Sequence, residues 1–184
     1  IRDSTWTEFD DRAARLAAAL EADGIGAGDN VACALYNGNE YLEVEFAAFK
    51  LRAAPCNVNY RYVENELAYL IDNSDAKAVF FDDTLTERFD AVRPHLTKVR
   101  RWVHVGDGEC PDWADRHKDI IAASMPAARR DRSADDLWIL YTGGTTGHPK
   151  GVMWPHASLV GLTARTLAPL GVEIPSTPQE VATI

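Results

Sequence analysis

A chain of 184 residues, 46% hydrophobic and 26% charged, has the length and balance of a globular domain with one sizeable core. The net charge of −9, with no basic stripe along the chain, argues against nucleic acid as a partner, and no apolar run reaches the ~18 residues of a membrane-spanning helix. Three widely spaced cysteines (Cys33, Cys56, Cys110) exclude a disulfide scaffold and any C-x-x-C motif, and the five histidines lack metal-binding spacing, so no protein-built metal site is expected.

The start, Ile1-Arg2-Asp3-Ser4, shows neither an initiator Met nor a signal-peptide pattern, and a cytoplasmic location is the expectation. Thr7 to Ala22 reads as the first helix, with Thr7 as its cap and Asp10 as the acidic partner three residues on. Phe9, Ala13, Leu16, Ala17 and Leu20 share one face, and Gly24 is placed to end it. After the turn at Gly26 to Asp29, Asn30 to Leu35 reads as a buried strand.

Gly38-Asn39 opens a second helix, with Glu40, Glu43 and Glu45 early and Lys50 and Arg52 at its end, the order that suits the helix dipole. Its Leu42, Val44, Phe46, Ala47, Phe49 and Leu51 form a wide apolar arc expected to pack on a sheet. Further along, Ala54 to Val58 is a strand and Glu64 to Asn73 a helix buried through Leu67, Leu70 and Ile71. Ala78 to Phe81 is a strand, and Asp83 to Arg93 a helix stopped by Pro94. Arg101 to Val105 is a strand, Gly106 to Pro111 a turn, and Trp113 to Ala123 a short surface helix. Cys33 and Cys56 fall in apolar runs, where free cysteine acts as a small hydrophobe. Alternating strands and helices argue an α/β fold with a largely parallel sheet.

Residues 127–136 mix both signs of charge (Arg129-Arg130-Asp131-Arg132, then Asp135-Asp136) and read as a solvated connector rather than a basic patch. The connector divides an α/β unit, 1–126, from a segment, 137–184, that carries the most informative stretch. There Leu137 to Tyr141, a short buried strand, runs into Thr142-Gly143-Gly144-Thr145-Thr146-Gly147-His148-Pro149-Lys150-Gly151. The glycines Gly143, Gly144 and Gly147 let backbone N–H groups approach an anion. The hydroxyls of Thr142, Thr145 and Thr146 can donate to phosphate oxygens, and Lys150 supplies positive charge. A strand feeding such a loop is how a protein cradles a polyphosphate. A flexible linker fits poorly with a composition tied so directly to a strand end. A Walker A loop is excluded, because Pro149 precedes Lys150, Gly151 follows it, and Pro149 holds His148 out of helical geometry. Val152-Met153-Trp154 is a brief apolar continuation. Pro155 precedes a helix from about His156 to Leu167 with Leu159, Leu162 and Leu167 as core positions and His156 in a capping or packing role. Gly171 to Ile184 reads as irregular.

Tyr141 to Gly151 resembles the phosphate-binding signature of the AMP-forming, adenylate-forming enzymes: acyl-CoA synthetases, luciferase-like enzymes and peptide-synthetase adenylation domains. Their pattern is aromatic-Thr-Ser-Gly-Ser/Thr-Thr-Gly-x-Pro-Lys-Gly. Tyr141, Thr142, Gly144, Thr145, Thr146, Gly147, Pro149, Lys150 and Gly151 match it, and Gly143 departs from its usual serine, which removes one hydroxyl and leaves three. Weaker matches follow in order across Thr5 to Val152: Gly28-Asp29-Asn30-Val31-Ala32, Asn59-Tyr60-Arg61 with Glu66-Leu67-Ala68-Tyr69, and Asp75-Ala76-Lys77-Ala78.

The resemblance implies part of the large N-terminal domain of an acyl-CoA synthetase. Such an enzyme uses ATP, Mg²⁺ and coenzyme A to convert a carboxylic acid, here expected to be fatty or lipophilic, through an acyl-adenylate to a thioester. Thr142, Gly143, Gly144, Thr145, Thr146 and Gly147 are then expected to hold the β- and γ-phosphates, with Lys150 screening their charge, in a loop mobile when empty. It also implies that no catalytic residue lies in these 184. The adenine-binding segment, the aromatic-Gly-x-Thr-Glu stretch, the ribose-binding aspartate and the lysine-bearing C-terminal domain are expected beyond Ile184, leaving an N-terminal piece inactive alone. A fatty-acyl-AMP ligase or another adenylation domain is the alternative within the family. From another class, the alternative is a non-catalytic α/β module that binds a phosphate-bearing ligand or a partner chain.

Overall fold

The first helix, α1 (Trp6–Ala22), is capped by Thr5 rather than Thr7. The Thr5 hydroxyl accepts the Glu8 N–H at 3.2 Å and the Glu8 carboxylate accepts the Thr5 N–H at 2.8 Å, a reciprocal capping box. Glutamate reaches back over that distance and the shorter Asp10 does not; Asp10 instead pairs with Lys50 at 2.6 Å. The computed structural model describes residues 3–143 and 148–171. The expectations for Gly144 to Gly147 and for the irregular stretch from Val172 onward lie outside the described residues.

Strands β1 (Asn30–Ala34), β2 (Ala54–Asn57), β3 (Ala76–Asp82), β4 (Arg101–Val105), β5 (Asp115–Arg116), β6 (Leu137–Thr142) and β7 (Lys150–Pro155) form a seven-stranded sheet ordered β5-β4-β3-β1-β2-β6-β7. Every neighbouring pair is parallel except β6 and β7. Helices α1, α2 (Asn39–Leu51) and α5 (His117–Ala123) cover one face. They meet Val31, Cys33, Phe80 and Val103 from the sheet. Helices α3 (Glu64–Asn73) and α4 (Thr86–Val92) cover the other, over Ala32, Cys56, Val79 and Phe81. Burial on both faces is why these strands read as continuous apolar runs. Cys33 and Cys56 are fully buried, as their surroundings suggested, and burial pushes the Cys56 thiol up to about 12.

Several expectations change. Val44, Ala47, Ala48 and Leu51 of α2 are buried, but Leu42 is 48% and Phe46 36% exposed, while Glu43 and Glu45 are buried instead. Glu43 lies between α1 and α5. Arg12 grips it bidentately, Nε to Oε1 at 2.6 Å and Nη2 to Oε2 at 3.0 Å, and His117 Nε2 sits 3.3 Å from Oε2. Trp113 to Ala123 is not a surface helix. Trp113 stacks on Phe81, Asp115 and Arg116 pair with Val103 and His104, and the α5 that follows buries His117, Ile120 and Ile121. Two residues of pairing are too short to leave a period-two pattern. Pro94 falls within a 3₁₀ turn, Arg93–His95, that carries α4 slightly further.

Helix α6 (His156–Leu167) has the expected bounds but buries no residue. Leu162 is 51% exposed and Leu159 and Leu167 are half-buried, because among the described elements α6 lies chiefly against β7 and the turn after it. His156 does pack, edge-on to Phe49 at 4.9 Å. The 127–136 stretch is mostly exposed and tied at both ends: the Ala127 N–H donates to Ala14 O at 2.9 Å, and Arg52 donates to the buried Asp136 at 3.0 Å. His104 is fully buried on β4, edge-on to Phe81 at 5.7 Å, and neither ring nitrogen has a partner among the described residues. No helix among the described residues is long and apolar enough to cross a membrane.

Candidate functional site

Strand β6 reaches the carboxyl edge of the parallel strands, where open α/β sheets take their ligands. After the loop the chain returns as β7, in register with β6 from Leu137 opposite Pro155 to Thr142 opposite Lys150. Thr142, Gly143 and Lys150 are therefore gathered at the open end of one hairpin, all three exposed. Gly144, Thr145, Thr146 and Gly147 lie outside the described residues. A Cβ on Gly143 meets nothing within 4 Å, so the glycine that replaces the pattern's serine is not required by packing.

The root of the loop is held at Tyr141. Its ring is buried and its hydroxyl donates to Asn73 Oδ1 at 2.8 Å. Burial pushes the phenol up to about 12, which keeps it a neutral donor. Its backbone N–H donates to Asn57 Oδ1 at 2.6 Å, and Asn57 Nδ2 donates to its carbonyl at 3.2 Å. Gly151 lies opposite Tyr141. A Cβ there would stand 3.0 Å from Tyr141 Cε2 and Cζ and 3.1 Å from Ile139 Cγ2, so the ring occupies the space a side chain would need. Beyond the loop, His148 stacks on Tyr69 with centroids 4.3 Å apart, and Pro149 is buried.

Lower on β6, the Trp138 indole donates to Glu45 at 3.2 Å, tying the strand to α2. Burial raises the Glu45 carboxyl, against the pull of its bonds from Trp138 and Tyr41. A cleft of about 370 Å³ opens beside Gly143 at the ends of β1, β2 and β6, with Asn57, Tyr60, Arg61 and Tyr141 in its wall. Tyr60 packs on Tyr36 at 4.4 Å and lies under the Arg61 guanidinium at 5.6 Å. Among the described residues no three His, Cys, Asp or Glu side chains gather as a metal set.

Sequence reasoning missed Asn57, Asn73 and Tyr69. Asn57 carried one signal: a side-chain amide closing an apolar run often stands in for a missing ladder partner. The contacts of Asn73 and Tyr69 join distant parts of the chain and leave no local pattern.

Known proteins align with this arrangement. The model of the family described as AMP-binding enzyme matches residues 1–181. The 3-oxocholest-4-en-26-oate–CoA ligase of Rhodococcus rhodochrous is 44% identical over 160 residues, covering 84% of this chain and 29% of that protein. The medium-chain acyl-CoA ligase Mig of Mycobacterium avium is 39% identical over 169 residues, covering 82% of this chain and 30% of that protein. The chain thus spans under a third of the length of these relatives. In fold it is similar to the anthranilate CoA ligase AuaEII solved with anthranoyl-AMP, with a TM-score of 0.83 at 23% identity, over 89% of this chain and 32% of that one.

Proposed function

Because the chain belongs to the AMP-binding enzyme family, we propose that it is part of an ATP-dependent acyl-CoA ligase activating a fatty or other lipophilic carboxylic acid. The acid oxygen attacks the α-phosphorus of ATP, pyrophosphate leaves, and the thiol of coenzyme A then displaces AMP from the acyl-adenylate. The lipophilic substrate is supported by relatives named for 3-oxocholest-4-en-26-oate and for medium-chain acyl groups. The observation that carries the reading is the hairpin that sets Thr142 opposite Lys150 at the carboxyl edge of a parallel sheet.

In this reading the Thr142 hydroxyl and the Gly143 N–H, with Gly144, Thr145, Thr146 and Gly147, hold the β- and γ-phosphates. Lys150 neutralises charge on the departing pyrophosphate, and positioning with electrostatic stabilisation is what the protein contributes to such a transfer. The exposed donors and cation around Gly143 suit a polyanion. Mg²⁺ would enter with the triphosphate, and its charge neutralisation would add to that of Lys150. The alkylammonium of Lys150 and the hydroxyl of Thr142 require no proton transfer to do this, so no acid–base role is assigned to them. The 184 residues alone are proposed not to form acyl-AMP.

The test is an amide-resolved titration of the 184-residue chain with Mg-ATP. Shifts centred on Thr142, Gly143 and Lys150, lost in Lys150→Ala and Thr146→Ala, are expected. No shift at millimolar nucleotide would refute the loop as a phosphate site in this chain.

A further inference from the structure

We propose that Asn57 is a positioning residue for the phosphate loop, its side-chain amide setting the angle at which Thr142 and Gly143 meet a bound phosphate. The inference rests on the reading of that loop given above. Strand β2 ends at Asn57, and its ladder to β6 is carried by Cys56 opposite Ile139. In an antiparallel pair each residue turns its N–H and C=O together, either toward its partner strand or away from it. Both groups of Tyr141 are engaged by Asn57, so they face away from β7, toward the side where β2 has stopped. Without a substitute, the next-to-last residue of β6 would have two unpaired backbone groups, one of them beside the cleft.

The Asn57 amide supplies that substitute. A primary amide presents an acceptor and a donor side by side, as a peptide group does, and so continues the ladder one residue past the end of the strand. Aspartate offers the acceptor without the donor, alanine offers neither, and glutamine is a methylene too long for the same reach. Three holds then converge on Tyr141: its backbone on Asn57, its ring against Gly151 and its hydroxyl on Asn73. Only the first acts on the backbone. The very next residue bears the Thr142 hydroxyl and the one after it the Gly143 N–H. A rotation at the Tyr141 peptide is therefore transmitted directly to both donors.

The experiment compares the 184-residue chain with Asn57→Ala, Asn57→Asp and Tyr141→Phe. Tyr141→Phe removes one hydrogen bond from the same residue while leaving its backbone clamp in place. It therefore reports what loss of stability alone does. Thermal midpoints, amide exchange at Tyr141 and Thr142, and the Kd for Mg-ATP read from the Thr142 and Gly143 amides are measured for each. In Asn57→Ala, exchange at both amides accelerates and the Kd rises about tenfold, the loss expected for one misaligned hydrogen bond to a charged ligand. In Tyr141→Phe the midpoint falls while the Kd stays within about twofold of wild type. Asn57→Asp, which keeps the acceptor, falls between them and carries the test if the alanine variant does not fold. Equal Kd values for wild type and the Asn57 variants, or an equal rise in Tyr141→Phe, overturn the inference and leave the loop reading standing. A wild-type chain that shows no response to Mg-ATP overturns the loop reading, and this inference with it.

Discussion

Arg12→Ala is the perturbation that most directly probes what holds α1, α2 and α5 together. Glu43 is fully buried, with two short contacts from Arg12 and another from His117. Removing one partner of a buried ion pair leaves an uncompensated charge and costs about 3–5 kcal/mol. The lower end applies here, because His117 Nε2 stays 3.3 Å from the carboxylate. For a chain of this length about 3 kcal/mol lowers the thermal midpoint by about 10 °C. The pH profile adds a second readout. Burial pushes the Glu43 carboxyl up, but the contacts from His117 and Arg12 outweigh it and hold it at about 2. A carboxyl held below its ordinary value of 4.5 stabilises the fold at higher pH, and that contribution disappears as pH falls from 4.5 toward 2. In Arg12→Ala the folded-state carboxyl rises back toward its ordinary value, so the loss of stability between pH 4.5 and pH 2 becomes shallower than in the wild type. The assay is urea unfolding and thermal melting from pH 3 to pH 7. The paired variant Arg12→Met/Glu43→Leu, which removes both charges, should recover most of the loss. A midpoint change under about 2 °C in Arg12→Ala, with an unchanged denaturant slope, would show that water compensates the carboxylate and that the pair holds nothing together.

Gly151→Ala places a methyl 3.0 Å from the Tyr141 ring and is expected to destabilise by about 1–3 kcal/mol, with the Tyr141–Asn73 hydrogen bond weakened in the same variant; an unaltered melting curve contradicts the packing. His104 has its imidazole pKa lowered chiefly by burial and then by Arg116, with Asp83 and Asp82 opposing. A depressed histidine stabilises the fold above its ordinary pKa of 6.5 and loses that contribution as pH falls below it, so the wild-type midpoint should drop between pH 6.5 and pH 5 more steeply than that of His104→Leu. Parallel slopes for the two proteins would show that His104 does not titrate in the folded state.

Elements whose signals are local were legible from the chain alone. Helix α3 spans Glu64–Asn73 and α6 starts behind Pro155 because helical periodicity and a proline boundary act within a few residues. The strand that leads into the Gly/Thr/Lys stretch was legible for the same reason, since Leu137 to Tyr141 is a contiguous apolar run. What stayed hidden was set at long range. Glu43 and Glu45 read as acids matched to the helix dipole, and Arg12, His117 and Trp138, brought in from other elements, help make their burial tolerable. The direction of β7 was equally hidden. Val152-Met153-Trp154 is apolar whether it runs parallel or antiparallel, and its pairing with β6 is what places Lys150 beside Thr142. Asn57 reads as a strand-end residue until Tyr141 is beside it.

The antiparallel return of β7 has an electrostatic consequence. In a strand–loop–helix anion site the helix amino end stands directly behind the loop and lends roughly half a positive charge that never titrates. Here a strand follows the loop, and α6 begins at His156, just past the Pro155–Leu137 pair at the far end of the hairpin, about 20 Å from Lys150 at ordinary strand rise. Among the described residues the positive charge nearest the hairpin end is carried by side chains, the exposed Lys150 ammonium and the Arg61 guanidinium of the adjoining cleft, and the field of an exposed charge decays over the ~8 Å screening length of physiological salt. If the hairpin holds nucleotide as proposed, the attraction from these side chains is short-range and salt-sensitive, where a helix amino end behind the loop would build it into the main chain.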